Sequence, residues 1–178
     1  MQRIVAILGL ALVVATPLPA QRPVLEHRSM SGPRLGLTYA FGPRADSVLR
    51  EHGLQPVLSQ FGWHFEQQVV PRGGGPEFVI EEVLLVGGVE QRTAIPSATV
   101  LMGIRMPSGF EFGLGPNLSP TGSALAIGIG KSINYGGVSL PVNLAFVRSP
   151  GATRMTVLVG YALETSDQIS RGAVGRRP

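Results

Sequence analysis

The chain has 178 residues, no cysteine and a formal net charge of +4. Without cysteine there is no disulfide framework, no thiolate catalyst and no cysteine-ligated metal. Much of the positive excess sits in Arg171, Arg176 and Arg177 near the end of the chain, apart from any aromatic cluster, so no nucleic-acid partner is expected.

Residues 1–20 read as an export signal peptide. Arg3 supplies the positive charge, residues 4–15 are an almost uninterrupted apolar run, and Pro17-Leu18-Pro19-Ala20 resembles a processing region, with cleavage expected after Ala20. The run is shorter than the ~20 apolar residues that cross a bilayer as a helix. No later run approaches that length, which excludes a helical membrane protein but not a membrane barrel. Residues 21–33 are polar and irregular and read as a flexible lead-in.

From Arg34 the chain alternates. Leu35, Leu37, Tyr39 and Phe41 share one face of a first strand, opposite Gly36, Thr38 and Ala40. Residues 45–52 then suit one short helix, stopped at Gly53. A second strand over 58–70 contains Phe61-Gly62-Trp63-His64-Phe65-Glu66, where every second residue is a large aromatic. Phe61, Trp63, Phe65 and Val69 lie on one side, Gly62, His64, Glu66 and Gln68 on the other. Gly73-Gly74-Gly75-Pro76 is a turn. The third strand, 77–86, holds adjacent Glu81 and Glu82. A β-bulge there is expected to turn both carboxylates inward and leave Phe78, Ile80, Val83 and Leu85 outward.

The fourth strand, 97–106, sets Val100, Met102, Ile104 and Met106 against Thr99, Leu101, Gly103 and Arg105. After Pro107-Ser108-Gly109, Phe110, Phe112 and Leu114 alternate with Glu111, Gly113 and Gly115. Residues 117–122 read as a turn. In the sixth strand Leu125, Ile127, Ile129 and Ile133 oppose Ala124, Ala126, Gly128, Gly130 and Ser132. In the seventh, Val138, Leu140, Val142, Leu144 and Phe146 oppose Ser139, Asn143 and Ala145, with Pro141 marking a bulge or irregular seam. The eighth, 153–163, places Met155, Val157, Val159, Tyr161 and Leu163 opposite Thr156, Gly160 and Ala162. Residues 164–178 read as a flexible polar tail.

The expected fold is all-β: an eight-stranded antiparallel up-and-down β-barrel over residues 34–163, with one short helix after the first strand. Glycine is abundant on the face opposite the large side chains, and in a strand interior it costs roughly 0.5–1 kcal/mol. A water-facing surface has little use for it, whereas a narrow lumen needs small residues. The charges fall on the same small-residue face, and an arginine at the midplane of a lipid-facing wall costs about 2–4 kcal/mol. Lys131 lies on the apolar face, near a strand end from which it can snorkel. A soluble barrel or sandwich, with the large residues inward, is the alternative, and the 6% aromatic content weighs on its side.

With this signal segment, strand rhythm and glycine-rich face, the chain resembles small bacterial outer-membrane β-barrel proteins. The resemblance implies insertion in a Gram-negative outer membrane and carries over no catalytic residue. On this reading Phe61, Trp63, Phe65, Val157, Val159 and Tyr161 face lipid. His64, Glu66, Glu81, Glu82, Arg105, Glu111 and Asn143 form an interior polar network that plugs the lumen and fixes strand register. No catalytic site, cofactor or metal is expected. Outer-membrane lipid is the expected partner, with an envelope protein or an apolar ligand as further candidates. Two other functions stay open. One is a secreted soluble barrel, periplasmic or extracellular, that binds a lipid or apolar ligand. The other is a lipid acyl hydrolase built on His64, Glu66 and a serine such as Ser59 or Ser139.

Overall fold

A computed structural model describes residues 25–135 and 138–164. The expected signal peptide, its cleavage site and nearly all of the tail lie outside the described residues. The strands are β1 (Leu25–Phe41), β2 (Val57–Pro71), β3 (Glu77–Gly87), β4 (Ile95–Arg105), β5 (Phe110–Ser119), β6 (Gly122–Tyr135), β7 (Val138–Ser149), β8 (Ala152–Gly160) and β9 (Ala162–Glu164). One helix, α1 (Pro43–Glu51), follows β1, and a single 3-10 turn, Val89–Gln91, joins β3 to β4.

From β1 to β8 each strand pairs antiparallel with its chain neighbour, and β1 also pairs with β8, so the sheet closes into a barrel. Closure leaves no open edge along the shared wall. β9 continues β8: Arg34↔Gly160 and Ser31↔Leu163 belong to one register, interrupted at Tyr161. The interruption has a local cause. Pro33 on β1 and Pro141 on β7 flank this point, and neither has an N–H to give the ladder. Pro141 itself stays in an unbroken register with β6, opposite Ser132, so the irregular seam expected from it falls on its other neighbour.

β1 begins nine residues before Arg34, within the stretch expected to be a flexible lead-in, and Leu25–Pro33 pairs with residues 63–71 of β2. Its polar sequence shows no alternation, and the pairing with β2 imposes the strand. β5 likewise runs on to Ser119, so Asn117 belongs to the strand rather than to a turn.

Side-chain alternation separates two surfaces. Leu35, Leu37, Met102, Leu125 and Ile133 are each more than half exposed on the outer wall. Inside, small apolar clusters (Val83, Leu85 and Leu158; Leu101, Ala126 and Val147) share the lumen with buried polar residues. Glycine creates the space: a Cβ on Gly128 would touch Leu101 Cδ1 at 2.9 Å. α1 covers the mouth at which β1 ends, packing Ala45 and Leu49 on Ala40 with help from Leu54 and Ala152. Pro43 stands in its first turn, where a missing N–H costs nothing.

Candidate functional site

The inward faces of β1 to β7 converge on one knot of charge near the end of the barrel at which β1 begins and β9 finishes. Arg105 on β4 is its centre. Its Nε and Nη2 donate to Glu111 Oε2 at 2.8 and 2.5 Å, and its Nη1 donates to Glu66 Oε1. The planar guanidinium fork lets one cation hold carboxylates from two strands at once. Gln68 Nε2 donates to Glu66 Oε1 at 2.5 Å, Asn143 Nδ2 donates to Glu111 Oε1 at 2.5 Å, and Ser132 Oγ approaches Glu111 Oε2 at 3.4 Å. A Cβ on Gly130 would overlap both the Asn143 amide and the Glu111 carboxylate, so glycine at 130 is what admits this pair.

A second chain of contacts joins the knot. Arg34 Nη2 lies 2.8 Å from His64 Nδ1, and His64 Nε2 lies 3.3 Å from Glu81 Oε2. A guanidinium only donates, so Nδ1 accepts and the ring hydrogen sits on Nε2, directed at Glu81. Glu66 Oε2 stands 3.8 Å from the same Nε2. Arg34 Nη1 donates to the carbonyls of Tyr161 at 3.0 Å and Pro33 at 3.1 Å. Arg34 thus caps the carbonyls exposed where the β1–β8 ladder is interrupted.

Toward the helix-covered mouth the lumen has a lighter polar layer. Arg154 Nη2 donates to Asn117 Oδ1 at 2.5 Å, Asn117 Nδ2 to Thr99 Oγ1 at 2.7 Å, and the Thr38 and Thr156 hydroxyls meet at 2.7 Å. Between the layers lies a cavity of about 70 Å³, walled by His64, Glu81 and Glu111 on one side and Asn117 and Arg154 on the other. At the mouth opposite α1, an open vestibule of about 240 Å³ reaches Arg105.

His64, Glu66, Glu81, Arg105, Glu111 and Asn143 therefore meet in one network. Glu82 does not. β3 pairs in an uninterrupted register with both neighbours, Glu81↔Glu66 and Glu82↔Phe65 on one side and Glu82↔Val100 on the other, so no bulge forms. Glu82 faces outward, while Val83 and Leu85 turn inward against Leu158. A bulge in a strand paired on both sides would disrupt two ladders, and the regular register instead gives two apolar side chains an apolar partner. Phe61, Trp63, Phe65, Val157, Val159 and Tyr161 all lie exposed on the outer wall.

Arg34, Gln68, Asn117 and Arg154 belong to the lumen but escaped the sequence-based network. Gln68 was in phase with His64 and Glu66. Arg34 was masked by its place at an expected strand boundary, and Asn117 by the turn-like Asn117-Leu118-Ser119-Pro120.

The loops at the helix-covered end are tied together outside the barrel wall. Glu90 accepts from both Ser59 Oγ and Ser59 N, the latter at 3.0 Å. Gln91 Nε2 donates to Val57 O at 2.7 Å, and Gln91 Oε1 accepts from Gln55 N at 2.7 Å. The Ser59 hydroxyl and amide hold the Glu90 carboxyl down to about 2. This use of Ser59 and the partners of His64 bear on hydrolysis: among the described residues neither imidazole nitrogen is hydrogen-bonded to a serine.

No protein-family profile matches the chain, and no curated protein matches it. Among solved structures it is similar to the crystal structure of Ail, the attachment invasion locus protein of Yersinia pestis, with a TM-score of 0.49 and 12% identity, covering 77% of this chain and 99% of that one. A second structure of Ail, in complex with the heparin analogue sucrose octasulfate, gives a TM-score of 0.48 and 10% identity over the same shares.

Proposed function

We propose that this chain is an integral outer-membrane β-barrel whose lumen is a packed polar core, acting as a structural or binding element of the envelope and not through a reaction. The observation that carries the reading is the outer wall. Large apolar side chains stand exposed on every strand from β1 to β8, while Arg34, His64, Glu66, Glu81, Arg105 and Glu111 are buried inside. In water such a wall would expose an apolar patch far beyond the few hundred Å² tolerated by soluble monomers. In lipid it is the expected surface, and a closed barrel satisfies its backbone hydrogen bonds internally. A soluble barrel holding an apolar ligand would need the opposite assignment of faces. Acyl hydrolysis would need a serine on His64, whose ring nitrogens are already engaged by Arg34 and Glu81.

The two ends of the barrel differ. The start of β1, the end of β9 and the turns 72–76 and 106–109 lie at one end, and the longer connections, 42–56 with α1 and 88–94, at the other. Short turns on the periplasmic side are the rule for such barrels. We place the α1 end outside the cell, where the loops tied by Glu90 and Gln91 would present any binding surface. The test is expression in a Gram-negative host. The expected result is an outer-membrane fraction that migrates faster unheated than boiled and is protected from protease over the strands. A processed protein that stays soluble without detergent would overturn the reading.

A further inference from the structure

The helix-covered mouth holds a cation without a counter-charge. Arg154 points into the lumen from β8, in register with buried Ala40 on β1 and buried Val147 on β7. Among the described residues its guanidinium makes one hydrogen bond, Nη2 to Asn117 Oδ1, and no ion pair. The two fully buried arginines are better supplied. Arg105 holds Glu66 and Glu111, and Arg34 bonds His64 and two carbonyls. A guanidinium carries five N–H donors, so most of the Arg154 fork lacks an acceptor. Withdrawing a cation from water with no anion to meet it is costly.

Arg154 bounds a cavity of about 100 Å³ beneath α1. Val48, Leu49, Leu54, Leu58 and Ile95 give it apolar walls, and among the described residues the charged groups that line it, Arg44 and Arg154, are both cations. The lumen carboxylates lie elsewhere. Glu81 and Glu111 wall the far side of the cavity of about 70 Å³ between the polar layers, and Glu66 belongs to the knot around Arg105. Gln60 lines the space beneath α1 as well. Its carboxamide makes no hydrogen bond among the described residues, and its Oε1 is buried. A buried polar group left unsatisfied calls for a partner. The Gln60 amide N–H groups are donors with no acceptor to lose. Free donors, no acid and an apolar wall are the complement of a small organic anion.

We propose that the cavity beneath α1 binds a short aliphatic carboxylate. The Arg154 guanidinium meets the carboxylate oxygens with its planar fork, Gln60 donates a further hydrogen bond, and the hydrocarbon end lies against Leu49, Leu54 and Leu58. An apolar cavity of about 150 Å³ takes up benzene, so one of about 100 Å³ suits a chain of about four carbons. The inference names a ligand class for the binding role proposed above and rests on that barrel reading.

The test titrates the full protein, purified from the outer membrane in nonionic detergent, with butanoate, 1-butanol and butylamine. Binding is followed through the amide NMR signals of α1 and β8. Butanoate is expected to give saturable shifts at the α1 mouth and to bind at least tenfold more tightly than 1-butanol or butylamine. Arg154→Gln should weaken butanoate at least tenfold while heat-modifiable migration persists. Val48→Trp fills the cavity from α1 without touching the charge and should weaken it as much, which decides the matter should Arg154→Gln fail to assemble. No saturable butanoate shift, 1-butanol bound as tightly as butanoate, or an affinity indifferent to either substitution would each overturn the proposal. Loss of heat-modifiability in the unsubstituted protein would instead count against the barrel reading itself.

Discussion

At the scale of single residues, the lumen depends on matching one cation to two carboxylates. Arg105 is buried with Glu66 and Glu111, and removing it leaves both acids in a low-dielectric interior without their cation. Breaking a buried ion pair in this way costs about 3–5 kcal/mol, more than forming it gains. Arg105→Ala should therefore lower the urea midpoint for unfolding from lipid vesicles by an amount equivalent to that range. Arg105→Lys should recover only part, because a compact ammonium lacks the planar fork that gives two N–H groups to Glu111 and a third to Glu66. An unchanged midpoint for Arg105→Ala would show that the knot contributes nothing net. The glycines give a graded second prediction. Gly128→Ala meets the far end of a flexible leucine at 2.9 Å, which can turn away. Gly130→Ala collides with the Glu111–Asn143 hydrogen bond, whose loss from a buried carboxylate is worth about 1–3 kcal/mol. The loss of stability should be larger at 130 than at 128, and the reverse order would mean the lumen relaxes around the carboxylate more readily than around leucine.

At the scale of elements, much of the barrel was legible because strand alternation is a local property. The glycine-rich inward face and the outward set Val157, Val159 and Tyr161 follow from residues two apart, and the helix after the first strand follows from the run 45–52 and its stop at Gly53. What escaped notice depends on partners distant in sequence. Residues 25–33 carry no apolar rhythm and become strand only by pairing with β2. Adjacent Glu81 and Glu82 suggested a bulge that would spare the outer wall a charge, yet the ladders to β2 and β4 and the inward packing of Val83 and Leu85 outweigh it. No spacing rule reveals the tie between the 3-10 turn and β2. That tie has a pH signature. The folded Glu90 carboxyl sits at about 2, below its usual 4.5. A depressed folded value stabilises the tied form above the unfolded value and loses that contribution as pH falls toward the folded one. Hydrogen exchange at the Ser59 amide, corrected for its intrinsic rate, should show constant protection above pH 4.5, fading on acidification toward about pH 2. Glu90→Gln should abolish this dependence, and a variant that retains it would assign the titration to another group.

At the scale of the whole molecule, two surfaces of opposite character must share one thin wall, and the period of two keeps them apart. Thr156 faces the Thr38 hydroxyl inside the lumen, while Val157, the next residue, stands outside. If the outside is lipid, the penalty for charge must depend on both face and height. Val157→Arg, in the central part of the wall that β8 and β9 build, should cost about 2–4 kcal/mol, measured by folding into vesicles, whereas Leu118→Arg, next to the last residue of β5, should cost roughly 0–1. Thr156→Asn keeps a polar group beside the Thr38 hydroxyl and should leave insertion unaffected, although it perturbs a tighter space than either arginine meets. Solvent around the barrel would predict otherwise: both outward arginines would then be tolerated alike, and only the inward change would be felt. The height dependence is the sharper of the two comparisons, because poor packing alone can mimic a difference between faces but not a cost that falls away toward the end of a strand.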